Sequence, residues 1–125
     1  MGLFSGLLGL STAVDETKLM AEYGKYIIDG ETIEIGFTLI RDTFVFTNKR
    51  LLLIDKQGLT GKKLEIFTIP YRSVDFFYVE TAGTFEMDSE LKIAVKGMPT
   101  IITKKFRKDD GLDAVYKVLS TYVLK

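Results

Sequence analysis

Between Phe44 and Gly83 the chain reads FVFTNKRLLLIDKQGLTGKKLEIFTIPYRSVDFFYVETAG. Strand-length runs of β-branched and aromatic residues are cut there by Asn, Gly and Pro at short, regular intervals. That is the pattern of an antiparallel meander, and it leaves no room for a long helix. The same stretch limits chemistry, because the whole chain has 0 Cys, 0 His and 0 Trp. The side chains that most often supply nucleophiles, proton shuttles and transition-metal ligands are therefore missing. No nucleophile and base stand together in the sequence, and the expectation is a protein that is not an enzyme.

Patterning outside the meander fills in the rest. Ser11 or Thr12 can cap a short helix with Asp15 and Glu16 in its first turn and Val14, Leu19 and Tyr23 near one face, ending around Gly24. Ile33, Ile35, Phe37 and Leu39 then alternate with Glu34, Gly36 and Thr38, the period of a half-buried strand. Arg41-Asp42 connects to a strand over 43–47, and Asn48-Lys49 turns the chain into another over 50–55. A loop over 56–61 leads to a strand over 62–69. Pro70 ends that ladder, because proline has no N–H to donate, and so marks a junction between sheets or a barrel corner. Further strands are expected over 74–81, 90–96 and 100–104, the last two joined by a turn at Gly97-Met98-Pro99. The period then changes: Leu112, Val115, Tyr116, Leu119, Tyr122 and Val123 make one apolar face of a helix over 109–124.

With 125 residues and only two prolines, Pro70 and Pro99, one domain over 1–125 is the simplest organisation. Lys+Arg and Asp+Glu stand at 17 each, so no global field attracts nucleic acid. The apolar tail 1–12, beginning MGLFSGLLGL, lacks a basic start and is too short to span a bilayer. It is expected to pack on its own domain or on a neighbouring copy, in a cytoplasmic protein.

Three motifs carry little chemistry. Gly58 and Gly61-Lys62-Lys63 echo a phosphate loop, but the spacing is wrong and Lys63 stands where a hydroxyl residue is needed. Glu86, Asp88 and Glu90 alternate without the central glycine of a calcium loop, so no metal and no cofactor is expected. Lys104, Lys105, Arg107 and Lys108 form the densest basic run and are the candidates for an anionic lipid or phosphate ligand at a membrane surface. Asp109 and Asp110 follow at once and partly neutralise it.

Several separated words, LFSGLLG, IRDTFVFTNKRLLLIDKQGLTGKK, IPYRSV, VETAGTF, ELKI and VLSTYVLK, occur in an order that resembles the bacterial pleckstrin-homology (PH) domain family over nearly the whole chain. The resemblance implies a mainly β, PH-like, partly open barrel of seven antiparallel strands in two orthogonal sheets. A C-terminal helix caps it and a short helix precedes it. It also implies assembly into cyclic rings, five copies for single-domain members, and a role in protein–protein interaction with no catalytic residue carried over. Inositide-binding PH domains use Lys and Arg spread over a first inter-strand loop that is here only Arg41-Asp42.

The residues add their own reason to expect assembly. Phe44 to Phe46, Leu51 to Ile54 and Phe76 to Val79 are apolar on both strand faces, so helices or a second subunit must cover the outward set. Val45, Leu52, Phe77 and Val79 are the candidates for that subunit interface. Arg41, Asp42, Asn48, Lys49, Arg50, Lys62, Lys63 and Arg72 are the candidates for a polar surface shown to an unidentified protein partner.

Overall fold

The computed structural model describes residues 12–13, 15–38, 42–57, 62–81, 88–107 and 111–125. The N-terminal tail before Thr12, Gly58 and Gly61 of the phosphate-loop echo, Glu86, Arg41 and Lys108 lie outside these residues, as do the side chains of Thr12, Ala13, Asp88 and Arg107.

A two-residue strand β1 (Thr12–Ala13) leads into helix α1 (Glu16–Tyr23). The meander follows as β2 (Ile33–Thr38), β3 (Asp42–Thr47), β4 (Arg50–Gln57) and β5 (Lys63–Pro70). These pair in sequence order into one antiparallel sheet, with β1 at its edge beside β2. A single turn of 3-10 helix (Tyr71–Ser73) carries the chain to the second sheet, β6 (Val74–Glu80), β7 (Asp88–Val95) and β8 (Ile102–Arg107). Helix α2 (Leu112–Val123) closes the chain. Pro70 thus stands at the junction between sheets, as its missing N–H requires, and Gly97 takes the left-handed φ of +82° that its turn needs. Among the described residues no ladder joins the two sheets.

The helix N-cap differs from the sequence expectation. Asp15 is the cap, accepting from the Thr17 N–H at 3.1 Å, because the helix begins at Glu16 and the backbone of Thr12 is paired with Thr38 across β1 and β2; Ser11 lies outside the described residues. Helix α1 buries Leu19 and Tyr23, four residues apart on one stripe, against the outer face of the first sheet. Gly36 makes that seat: a Cβ there would collide with Leu19 Cδ1.

Between the sheets lies a larger core with an aromatic centre. Phe37 stacks on Phe44 at 5.3 Å, and Phe106 from the second sheet meets Phe37 edge-on at 4.8 Å. Leu51, Ile69, Leu91 and Ile93 fill in around them, and α2 lays Val115 and Leu119 over the open side. The pairs Phe46 with Leu51 and Val45 with Leu52 then point to opposite faces, and both are buried. The first belongs to the inter-sheet core and the second to the cluster under α1.

Leu19→Ala should therefore uncover Val45 and Leu52 as well as open a cavity. The expected loss is about 2–4 kcal/mol, read as a lowered urea midpoint, with the α2 side of the core unaffected.

Candidate functional site

The turn between β3 and β4 was the richest source of candidate surface residues, and its polar groups are mostly turned inward. Glu31, almost fully buried, receives the Arg50 Nε–H at 2.9 Å on Oε2 and Nη2–H at 3.0 Å on Oε1. It also accepts from the Thr47 hydroxyl at 2.6 Å and the Ile28 N–H at 3.1 Å. Arg50 in turn donates to the Tyr26 carbonyl at 2.6 Å and to Thr68 Oγ1 at 3.2 Å. Asn48 accepts from the Thr32 N–H and donates to the Gly30 carbonyl. Arg50 and Asn48 are thus a correction to the displayed set. They clamp the turn to the segment before β2, because a planar guanidinium and a short amide match the carboxylate and backbone groups facing them. Glu31 has no local sequence signal, since its partner lies 19 residues away.

Burial pushes the Glu31 carboxyl up, but the hydrogen bonds from Arg50, Thr47 and the Ile28 N–H outweigh it and hold the group below the ordinary glutamate value. Beneath the same turn, Tyr71 donates its hydroxyl to the Thr47 carbonyl at 2.6 Å and stacks on Tyr122 of α2 at 5.2 Å.

The interface candidates need a second correction. Val45 and Leu52 are covered within the protomer by α1. Phe77 and Val79 are half-buried against the inter-sheet core, Phe77 edge-on to Tyr116 of α2 at 5.5 Å. A bulge between Val74 and Phe76 inverts the alternation of β6, so Phe76, 53 % exposed, and Tyr78, 38 % exposed, point outward. Their rings stack at 6.3 Å. Lys92 of β7 sits over Tyr78 and bonds Glu80 at 2.9 Å.

Across the junction, β5 bears its own exposed apolar groups, Leu64 and Phe67, beside the exposed Lys62 and Lys63. Lys49 and Arg72 are exposed as well. Among the described residues β5 pairs only with β4, and β6 only with β7, which leaves both with a free edge next to these side chains.

A cleft of about 180 Å³ opens between β5 and the second sheet, lined by Asp42, Asp55, Glu65, Phe67 and Lys104. Asp42 and Asp55 are register partners. Burial and the Asp55 carboxyl beside it hold the Asp42 carboxyl above the ordinary aspartate value, against the pull of Lys104. Lys104 reaches within 3.9 Å of Asp42 and lies over the Phe44 ring at 5.3 Å. The basic run is therefore divided by strand alternation. Lys104 and the buried Phe106 face inward, while Lys105 faces outward opposite Glu90. Among the described residues no group of three or more acidic side chains is placed to hold a metal, and no helix is long and apolar enough to cross a membrane.

The chain is similar to known proteins along nearly its full length. A family model described as "Bacterial PH domain" matches residues 2–123. The "Uncharacterized protein YjqA" of Bacillus subtilis (strain 168) is 46% identical over 122 residues, 96% of this chain and 97% of that protein. The "Uncharacterized protein YozO" of the same organism is 32% identical over 123 residues, 98% of each. Two crystal structures share the fold. One is a DUF1696 family protein with a pleckstrin-homology domain from Shewanella loihica PV-4, with a TM-score of 0.82 and 41% identity over 92% of this chain and 98% of that one. The other is a pleckstrin homology domain from Shewanella amazonensis SB2B, with a TM-score of 0.73 and 42% identity over 89% of this chain and 100% of that one.

The Glu31 clamp has a pH signature. A carboxyl held below its ordinary value contributes stability that is complete above about pH 5 and is lost as pH falls through the folded-state value. Asp42 works in the opposite sense, so the effect is isolated by comparison. The urea midpoint of the wild type should fall more steeply between about pH 5 and pH 3 than that of Glu31→Gln. Arg50→Ala should cost about 3 kcal/mol at pH 7, because it leaves the buried carboxylate without its partner.

Proposed function

The chain belongs to the bacterial PH domain family, and we propose that it is a non-enzymatic interaction module of the cytoplasm that joins copies of itself into a closed ring. Five copies is the number the family resemblance implies. The observation that carries this reading is the pair of free strand edges, each beside large exposed apolar groups: Leu64 and Phe67 on β5, Phe76 and Tyr78 on β6. A closed ring needs a heterologous contact between two different patches on each protomer, and of the four sheet edges among the described residues these two carry such groups on neighbouring strands. Long free edges with apolar side chains are otherwise a liability in a monomer.

A ring would repeat the exposed Lys49, Lys62, Lys63 and Arg72 around its circumference. A protein partner would then be held by avidity rather than by one tight contact. Lipid binding through residues 104–108 is the weaker reading, because Lys104 is turned into the cleft toward Asp42.

Light scattering on a size-exclusion column should give a mass near five times the 14.1 kDa protomer. Phe76→Glu, at an exposed position, should reduce that mass while leaving the circular dichroism unchanged. A monomeric wild type overturns the reading. Sedimentation with vesicles rich in phosphatidylserine should leave the protein in the supernatant. Pelleting that weakens with salt and is lost in a Lys104→Glu/Lys105→Glu variant would make the lipid reading the better one.

A further inference from the structure

We propose that the end of the molecule formed by the β3–β4 turn, the 3-10 turn between the sheets and the C-terminal end of α2 binds an acidic segment of a partner protein that also carries apolar side chains. This inference rests on the reading above that a polar surface is shown to a protein partner, and adds where that surface lies and what chemistry it takes.

Segments distant in the chain are tied together at this end. Asn48 and Arg50 hold the loop before β2 through the Gly30 and Tyr26 carbonyls. Tyr71 of the 3-10 turn donates to the Thr47 carbonyl and stacks on Tyr122 of α2, over whose ring Lys125 lies at 5.3 Å. The Ser73 carbonyl accepts from the Lys96 N–H at 2.8 Å, which brings the end of β7 to the same turn.

These ties gather five exposed cations, Lys25, Lys49, Arg72, Lys96 and Lys125. The exposed acids among them are Asp29, Asp75 and Glu34, and Glu34 accepts from the Tyr122 hydroxyl. Arg50 adds nothing to the surplus, because Glu31 neutralises it. A positive surplus thus stands at one end of a chain whose formal net charge is zero, and charge complementarity selects an acidic partner.

A second observation falls at the same end. Ile28, 58 % exposed, and Leu124, 75 % exposed, stand out further than any other large apolar side chain among the described residues. Each lies in a segment that also carries one of the cations, Lys25 or Lys125. A partner that pairs carboxylates with these cations can cover both aliphatic groups with apolar side chains of its own. The hydrogen bonds of Asn48, Arg50 and Glu31 already fix the backbone of the loop and turn, so binding orders little besides side-chain tips.

The same geometry divides the exposed cations. Arg50 pairs with Pro70 and Gln57 with Lys63, so Lys62 and Lys63 lie roughly 23 Å away, at the far end of β5. They do not belong to this site.

The test is fluorescence anisotropy with a labelled, glutamate-rich synthetic peptide that carries leucine at intervals. It should bind the wild type, more weakly as salt rises, and a peptide with lysine in place of glutamate should not bind. Lys49→Glu/Arg72→Glu should weaken binding about tenfold or more, with the mass and circular dichroism unchanged. Lys62→Glu/Lys63→Glu, the same charge change at the other end, should leave affinity as it was. Ile28→Ser should weaken binding without altering its salt dependence. Equal losses from the two double variants overturn the site. No binding by a wild type of multimeric mass also overturns it and leaves self-assembly standing, whereas binding by a wild type of protomer mass supports the site and overturns the ring. Pelleting with phosphatidylserine-rich vesicles that is lost in Lys49→Glu/Arg72→Glu makes a membrane the occupant and overturns the acidic segment.

Discussion

Everything in this fold follows from a hairpin that is apolar on both faces. β3 and β4 place Phe44, Phe46 and Leu51 on one side and Val45, Leu52 and Ile54 on the other, and all six are buried. A strand pair of this kind cannot be the outer wall of a barrel. Water would meet one apolar surface whichever way the hairpin turned. The second sheet and α2 cover the first face, and α1 covers the other. The chain before β2 must therefore return across the outside of the sheet. Its return is held by the Glu31 and Arg50 clamp at one end and by a surface pair, Lys56 with Glu22 at 2.7 Å, at the other.

That covering leaves apolar side chains exposed on two neighbouring strands, Leu64 and Phe67 on β5 and Phe76 and Tyr78 on β6, as well as singly elsewhere, as at Ile28 and Ile101. Helix α1 protects the middle of the first sheet and α2 spans the opening between the sheets, but neither reaches the outer side of β6 or the end of β5. The junction at Pro70 throws these two strands into different sheets, so each keeps an open edge. The surface assigned to the proposed assembly is what two short helices leave uncovered, which ties that proposal to the same constraint that builds the core.

The polar groups divide by the same logic. A charge that the fold must bury is paired, as Glu31 is with Arg50, and a paired charge is unavailable for display. Lys104 shows how this misleads a linear reading: within a basic run it suggests an anion site, yet its ammonium lies between Asp42 and the Phe44 ring. The exposed cations Lys49, Lys62, Lys63 and Arg72 stand on turns and strand ends, where nothing packs over them.

Most of the architecture was legible in the sequence because it depends on local rules. Alternation of Ile35 and Phe37, the Asn48-Lys49 turn, the missing N–H of Pro70 and the helical stripe from Leu112 to Val123 each act within a few residues, whereas Ile33, expected on the same face, joins the cluster under α1 because the β2–β3 register shifts between Ile33 and Ile35. What surface each face would meet was not legible. The seating of Leu19 on Val45 and Leu52, and the pairing of Glu31 with Arg50, join residues distant in the chain, so no local pattern records them. The outward turn of Phe76 and Tyr78 depends on a bulge against β7, one extra residue whose position is set by the partner strand and not by β6 itself. Sequence alone determined which segments become strands and helices, since hydrophobic period and turn chemistry are properties of neighbours. Only the tertiary structure decided which apolar faces are spent on the core and which stay open, because burial is a property of what arrives from elsewhere.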